Sequence, residues 1–196
     1  MIGSRNAASQ AQKGRAAHLR LKRFCLIAGY LMMGVFAWAQ AQVHDEQTVR
    51  SAFVFNLSKY VEWPHVEHDL VICFAGDGDM GQNLQKLLDG KAVDALIIRV
   101  LLLKPDDKVE PCDLLYVAYG VPGKTRAALD KVAGLNILTV GETESFTRNG
   151  GMVGLVRMGD QIKIEVNLEL VQKTQLKISS RLLTLARIVS NSGGKG

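Results

Sequence analysis

Gly150-Gly151-Met152-Val153-Gly154-Leu155-Val156-Arg157 is followed by a turn, Met158-Gly159-Asp160, and then by Gln161-Ile162-Lys163-Ile164-Glu165-Val166-Asn167-Leu168. In the last run Ile162, Ile164, Val166 and Leu168 alternate with Gln161, Lys163, Glu165 and Asn167. Period-2 alternation is the pattern of a strand with one buried and one wet face. The polar turn with Gly159 joins the two runs into a hairpin. Downstream, Ile178, Leu182, Leu185 and Val189 recur at helical spacing, with Ser179 or Ser180 placed to cap. The expectation is a hairpin sealed by a closing amphipathic helix.

Upstream of the hairpin, strand and helix patterns alternate. Helix is expected from His44-Asp45-Glu46, with Asp45 as cap and Val49, Ala52, Phe53, Asn56, Leu57 and Tyr60 marking its face. Val61-Glu62-Trp63-Pro64 ends it, because a residue before proline is pushed out of the α region. Strands are read at Leu70–Phe74, Ala95–Leu103, Asp113–Ala118 and Ile137–Val140. Helices are read through Leu84–Leu88 and over Gly123–Val132, with a short turn or helix at Thr143–Arg148. Such alternation with short loops predicts an α/β fold, a largely parallel sheet with helices on both faces. The hairpin adds antiparallel strands at one edge. The tail from Ser190 to Gly196 has nothing to bury.

The chain has 196 residues and a formal net charge of +5. Length suits one domain, expected over residues 42–189. The charge is uneven. Of 24 Lys and Arg, six (Arg5, Lys13, Arg15, Arg20, Lys22, Arg23) lie in residues 1–41, where no acidic residue occurs. The rest holds 18 basic against 19 acidic residues, so no nucleic-acid footprint remains. Residues 1–41 read as a secretory signal, with a basic segment of unusual length, the apolar run Phe24–Trp38, and small residues at Ala37, Ala39 and Ala41. Cleavage is expected after Ala39 or Ala41, and an uncleaved inner-membrane anchor is the alternative. The apolar run is 15 residues long, short of the roughly 18 or more that span a bilayer. Either way the body is exported. Cys25 has no small residue before it and is not read as a lipoprotein site.

Several constellations fail as chemistry. Gly76-Asp77-Gly78-Asp79-Met80-Gly81 matches G-x-G-x-x-G between a strand and a helix. Asp77 and Asp79 would repel a pyrophosphate there, and the next strand ends in Leu103-Lys104 rather than an acid for the ribose. A tight turn with two solvated aspartates is the better reading. His65 and His68 flank Glu67, with His44 elsewhere, and no fourth ligand groups with them. No catalytic site, metal or cofactor is expected. Cys73 and Cys112 are the only cysteines of the exported part. An even pair in an oxidising compartment suggests a disulfide, with two separate buried thiols as the alternative.

Two blocks carry a family resemblance. One is Ala52-Phe53-Val54-Phe55-Asn56-Leu57-Ser58-Lys59-Tyr60-Val61-Glu62-Trp63-Pro64. The other is Gly150-Gly151-Met152, then Val166-Asn167-Leu168, then Leu176-Lys177-Ile178-Ser179-Ser180-Arg181-Leu182-Leu183 and Leu185-Ala186-Arg187. Together they resemble the YfiR family, exported bacterial proteins that restrain a membrane-bound diguanylate cyclase. The resemblance implies a non-enzymatic periplasmic regulator that binds the cyclase's periplasmic domain, controlling cyclic di-GMP and biofilm formation. The partners it implies are that domain and an outer-membrane lipoprotein that sequesters the regulator under stress. A homodimer is a further expectation. The resemblance also supports the Cys73–Cys112 bridge and implies no nucleotide at Gly76–Gly81. A second cysteine pair of some members, near the Gly-Gly-Met turn, is absent here. The candidate docking surface is Tyr60, Glu62 and Trp63 at the exit of the first helix, with Ser179 and Arg181 at the start of the last. Trp and Tyr are the usual anchors of such contacts. Some relatives carry a basic residue where Glu62 stands. The competing class is a periplasmic small-ligand sensor or solute-binding module, using the crevice at the carboxyl ends of the strands.

Overall fold

The computed structural model describes residues 46–64 and 69–190. The leader with its cleavage sites, Cys25, His44, Asp45, His65, Glu67, His68 and residues 191–196 lie outside the described residues. The chain divides into a unit Met1–Glu46 and a unit Gln47–Gly196, and apart from Glu46 the elements below belong to the second.

Helix α1 covers residues 46–59 and runs into a two-residue strand, β1 (Val61–Glu62). Then follow β2 (Asp69–Gly76), α2 (Met80–Leu88), β3 (Ala92–Val93), β4 (Leu96–Leu102) and β5 (Leu114–Ala118). After them come α3 (Pro122–Lys131), β6 (Leu138–Gly141), β7 (Val153–Met158) and β8 (Gln161–Asn167). The chain closes with α4 (Leu168–Val171), β9 (Lys177–Ile178), α5 (Ser180–Leu183) and β10 (Arg187–Val189). Eight strands form one sheet in the order β10-β8-β7-β6-β5-β2-β4-β3, and β1 and β9 form a second, small one. From β4 through β7 the neighbours are parallel; β8 turns back antiparallel on β7. The α/β sheet and its hairpin are therefore as the alternation predicts.

Strand parity divides the core in two. Leu70, Ile72 and Phe74 of β2, with Leu114 and Tyr116 of β5, face α1 and α2 and join Val54, Leu57, Leu84 and Leu88. The intervening Cys73, Ala75, Leu115 and Val117 face α3 and join Ala128, Leu129 and Val132. Side chains that alternate across a sheet need a cover on each face, and helices supply both.

The first helix buries only part of the expected face: Leu57 is core, and Phe53 and Tyr60 pack against it half-buried. Val49 is 39% exposed, and Ala52 and Asn56 are exposed too. The buried face is Arg50, Ser51, Val54, Leu57 and Ser58. Counting apolar residues missed it because three of these five are polar. The two serine hydroxyls bond back to helix carbonyls, Ser51 to Gln47 and Ser58 to Val54 and Phe55, which lets small side chains sit dry against the sheet. Arg50 can be buried because its guanidinium is matched by a carbonyl and a carboxylate. It donates to the Leu155 carbonyl at 2.6 Å and lies 3.4 Å from Glu142. Tyr116 donates to the same Glu142 carboxylate at 3.1 Å. Burial, then the charge of Glu142, pushes the Tyr116 phenol far above its ordinary pKa, so it stays a donor.

The closing helix is also shorter than its spacing predicts. Ser179 caps it as expected, accepting from the Leu182 amide, but α5 lasts one turn. Leu185 is 72% exposed, and the chain goes on as β10, parallel to β8 with Arg187 beside Glu165. A helix through residue 189 would leave the edge of β8 unpaired and the buried Glu165 without its cation. The β-branched pair Ile188-Val189 favours the strand. A further one-turn helix, α4, was not foreseen; Asn167 caps it by accepting from Leu170 at 3.2 Å.

Close packing accounts for the glycine patterns. A Cβ at Gly76 would lie 2.7 Å from the Ala118 carbonyl oxygen, and one at Gly81 would lie 2.5 Å from the Phe74 ring. The G-x-G-x-x-G run thus seats α2 against β2 and β5. In the same way, the Phe146 ring is sandwiched between Gly141 and Gly151, leaving no room for a methyl group on either. Gly151→Ala is therefore expected to destabilise the fold by about 1–3 kcal/mol through overpacking. Urea unfolding checks it, and a loss below half a kilocalorie would show that the ring can slide aside.

Candidate docking surface

The small sheet is what gathers the candidate residues. Val61 pairs with Ile178 and Glu62 with Lys177 in antiparallel register. The Ser179 amide donates to the Tyr60 carbonyl at 2.8 Å, extending the ribbon by one bond. Val61 is core, while Ile178 is half-buried against the same core. The exit of α1 and the start of α5 are thereby held side by side, although most of the chain lies between them.

Each residue has a definite place on this surface. Tyr60 and Trp63 are half-buried and packed against the core cluster, so they are neither free anchors nor fully interior. The Trp63 indole N–H donates to the Ser58 carbonyl at 3.0 Å, which fixes the ring. Glu62 is exposed and pairs with Lys177 at 3.1 Å. Exposed pairs of this kind contribute little to stability. Arg181 is exposed on α5. Ser179 is half-buried and its hydroxyl is engaged as the cap of α5, a structural task. Lys177, opposite Glu62, escaped the sequence reading; two residues of strand carry no periodicity to find it by.

Beside Trp63 opens a cavity of about 250 Å³, whose walls include Leu176, Ile137, Cys112 and Asp113. Burial raises the Asp113 carboxyl above its ordinary pKa, opposed by the Val71 amide that donates to it at 2.7 Å. The Cys73–Cys112 disulfide is formed, with the Cα atoms 5.7 Å apart. Cys112 precedes β5 and so escapes that strand's alternation; the Asp113 amide, bonded to the Val71 carbonyl at 2.9 Å, pins it beside β2. Among the described residues no cluster of three or more His, Cys, Asp or Glu could hold a metal ion. No helix there is long and apolar enough to cross a membrane.

The sequence pattern described as YfiR/HmsC-like matches residues 47–187, from the first turns of α1 into β10. The chain belongs to the YfiR/HmsC-like family. Members are periplasmic regulators of diguanylate cyclases, and at that coarse level the role carries to this chain. The family is regulatory and non-catalytic. A search of curated proteins finds no match. In this YfiR/HmsC-like chain the two resembling blocks meet in space: Tyr60–Glu62 and Lys177–Ser179 are the two sides of the β1–β9 ribbon.

Proposed function

We propose that the β1–β9 ribbon and its flanks dock the periplasmic domain of a membrane diguanylate cyclase and hold the enzyme inactive, keeping cyclic di-GMP and biofilm formation low. The supporting observation is that β1 and β9 pair Glu62 with Lys177 and bond Ser179 to Tyr60, which brings the chain before Trp63 and the chain before Arg181 into one ribbon. Repression by docking needs stronger binding to one cyclase conformation than to another, and no active site. The half-buried rings of Tyr60 and Trp63 offer apolar area, and the exposed Glu62–Lys177 pair and the exposed Arg181 offer charge. An outer-membrane lipoprotein that covers the same ribbon would withdraw the repressor. Export through the leader, and a homodimer in the resting state, complete the proposal.

Trp63→Ala is expected to raise cellular cyclic di-GMP and weaken capture of the cyclase domain, by about 2 kcal/mol as for an interface anchor. Arg181→Glu keeps the packing intact and is expected to act in the same direction. Wild-type capture by an Arg181→Glu, Glu62→Arg double variant would remove the ribbon from the proposal. Melting curves of each variant separate lost docking from lost folding.

A further inference from the structure

Helix α3 carries Lys124, Ala127, Ala128 and Lys131 at i, i+3, i+4 and i+7, which is a single helix face. A larger side chain at the buried Ala128 would reach the sheet, and one at the exposed Ala127 would cover the opening beside it. Alanines leave a gap above Ala75 of β2 and Leu115 of β5, and the segment after β4 closes its side with Leu103 and Val109. The result is a cavity of about 130 Å³ with apolar walls. It lies at the carboxyl ends of β2, β4 and β5, on the face opposite α1 and α2. Open α/β sheets bind their ligands in crevices at that end.

Its mouth is cationic. Lys104, Lys124 and Lys131 stand around it. Lys131 donates to the Pro105 carbonyl, tying the segment after β4 to α3. The Lys124 ammonium lies 3.5 Å from Asp77 and 5.5 Å from the centre of the Tyr119 ring. Asp107 is the one carboxylate in the wall, and it accepts from the Lys104 amide at 2.8 Å. Three ammonium groups against these two carboxylates leave a net positive rim. An ammonium group has three donors, so each lysine keeps capacity for an added acceptor.

From this geometry we infer that the cavity is a binding site for a small amphipathic anion: one carboxylate on an aromatic ring or short apolar chain. The size sets the apolar part. A dry cavity of about 150 Å³ accommodates a benzene ring, whereas drug-sized ligands need roughly 300–1,000 Å³. The lysines set the charge, and Tyr119 offers a ring edge at the entrance. This site is separate from the β1–β9 ribbon and does not depend on the role proposed for it.

Benzoate and its neutral counterpart benzyl alcohol are the probes, titrated into the exported protein while the methyl resonances of Leu103, Val109 and Leu115 are followed. Benzoate is expected to shift these methyls saturably, with an affinity at least about tenfold above that of the alcohol. Ala127 is exposed, so Ala127→Phe fills the mouth without disturbing the core and is expected to abolish the shifts. Replacing Lys104 and Lys124 together by Gln is expected to bring benzoate down to the affinity of the alcohol. Equal affinity of the two probes for the unmodified protein would overturn the anion assignment. Shifts that are absent, non-saturable or unchanged in the Ala127→Phe variant would overturn the site itself.

Discussion

Loss of the Cys73–Cys112 bond is expected to lower the melting temperature by about 10 °C. The bond closes a loop with a sequence separation of 39. The chain-entropy model assigns roughly 4 kcal/mol to a loop of that size, and a domain of this length loses about 2–4 °C per kcal/mol. Total stability of a domain is only about 5–15 kcal/mol, so the share is large. The cysteines are 0% and 4% exposed, and removing their side chains would open a gap as well. Calorimetry on the reduced and refolded wild-type protein, beside the Cys73→Ala, Cys112→Ala variant, separates cross-link from packing. A melting point within two degrees of the oxidised protein would show that the bond is incidental to stability. On the proposed role, cells held under reducing stress would lose repressor and gain cyclic di-GMP through folding alone.

The second large effect is expected at the sheet edge. Glu165 has a side chain 1% exposed, and it is held by the Thr147 hydroxyl at 2.8 Å and by Arg187 of β10. Arg187→Ala would leave that carboxylate buried with a single neutral donor. Breaking a buried pair costs about 3–5 kcal/mol. The Arg187 side chain is 55% exposed, and water entering its place would bring the loss to roughly 2–3 kcal/mol. Glu165→Gln in the Arg187→Ala background is expected to recover part of it, because the charge goes while the Thr147 bond can remain. Urea titrations of the three variants measure the coupling. Arg187→Ala indistinguishable from wild type would mean that β10 leaves the edge at little cost. Hydrogen exchange then gives the second view, with protection of residues 187–189 lost first in the variant.

Strands whose pattern lies within a single element are legible in the sequence, although Glu165 and Asn167, on the expected wet face of β8, are buried. The alternation of Ile162, Ile164 and Val166 put β8 in place, and the short apolar runs around Ile72, Leu115 and Leu138 marked parallel strands buried on both faces. What could not be read were features set by a partner far along the chain. The face of α1 is half polar because Arg50 meets Glu142 and Leu155, and no local period encodes that meeting. The helical spacing through Val189 was real but lost to β8, whose open edge and buried Glu165 claim residues 187–189 as a strand. Tyr60, Trp63 and Arg181 come from a family resemblance, whereas the meeting of their two segments rests on a ribbon of two residues a side, too short for any periodicity. The cavity under α3 left a trace, Lys124-x-x-Ala127-Ala128-x-x-Lys131, that means little until Ala75 and Leu115 are seen beneath it.

The β1–β9 pairing makes the proposed docking face a test of completeness. Its first half, Tyr60–Trp63, is synthesised early; its second, Lys177–Arg181, comes almost last. A copy that is unfinished, or clipped ahead of Lys177, loses β9, α5 and β10 together. It lacks the strand that β1 pairs with, and so presents a half-face to any cyclase. The effective dose of repressor would then count only full-length, fully folded molecules. A protease acting on the last stretch of the chain would release the enzyme without having to degrade the rest.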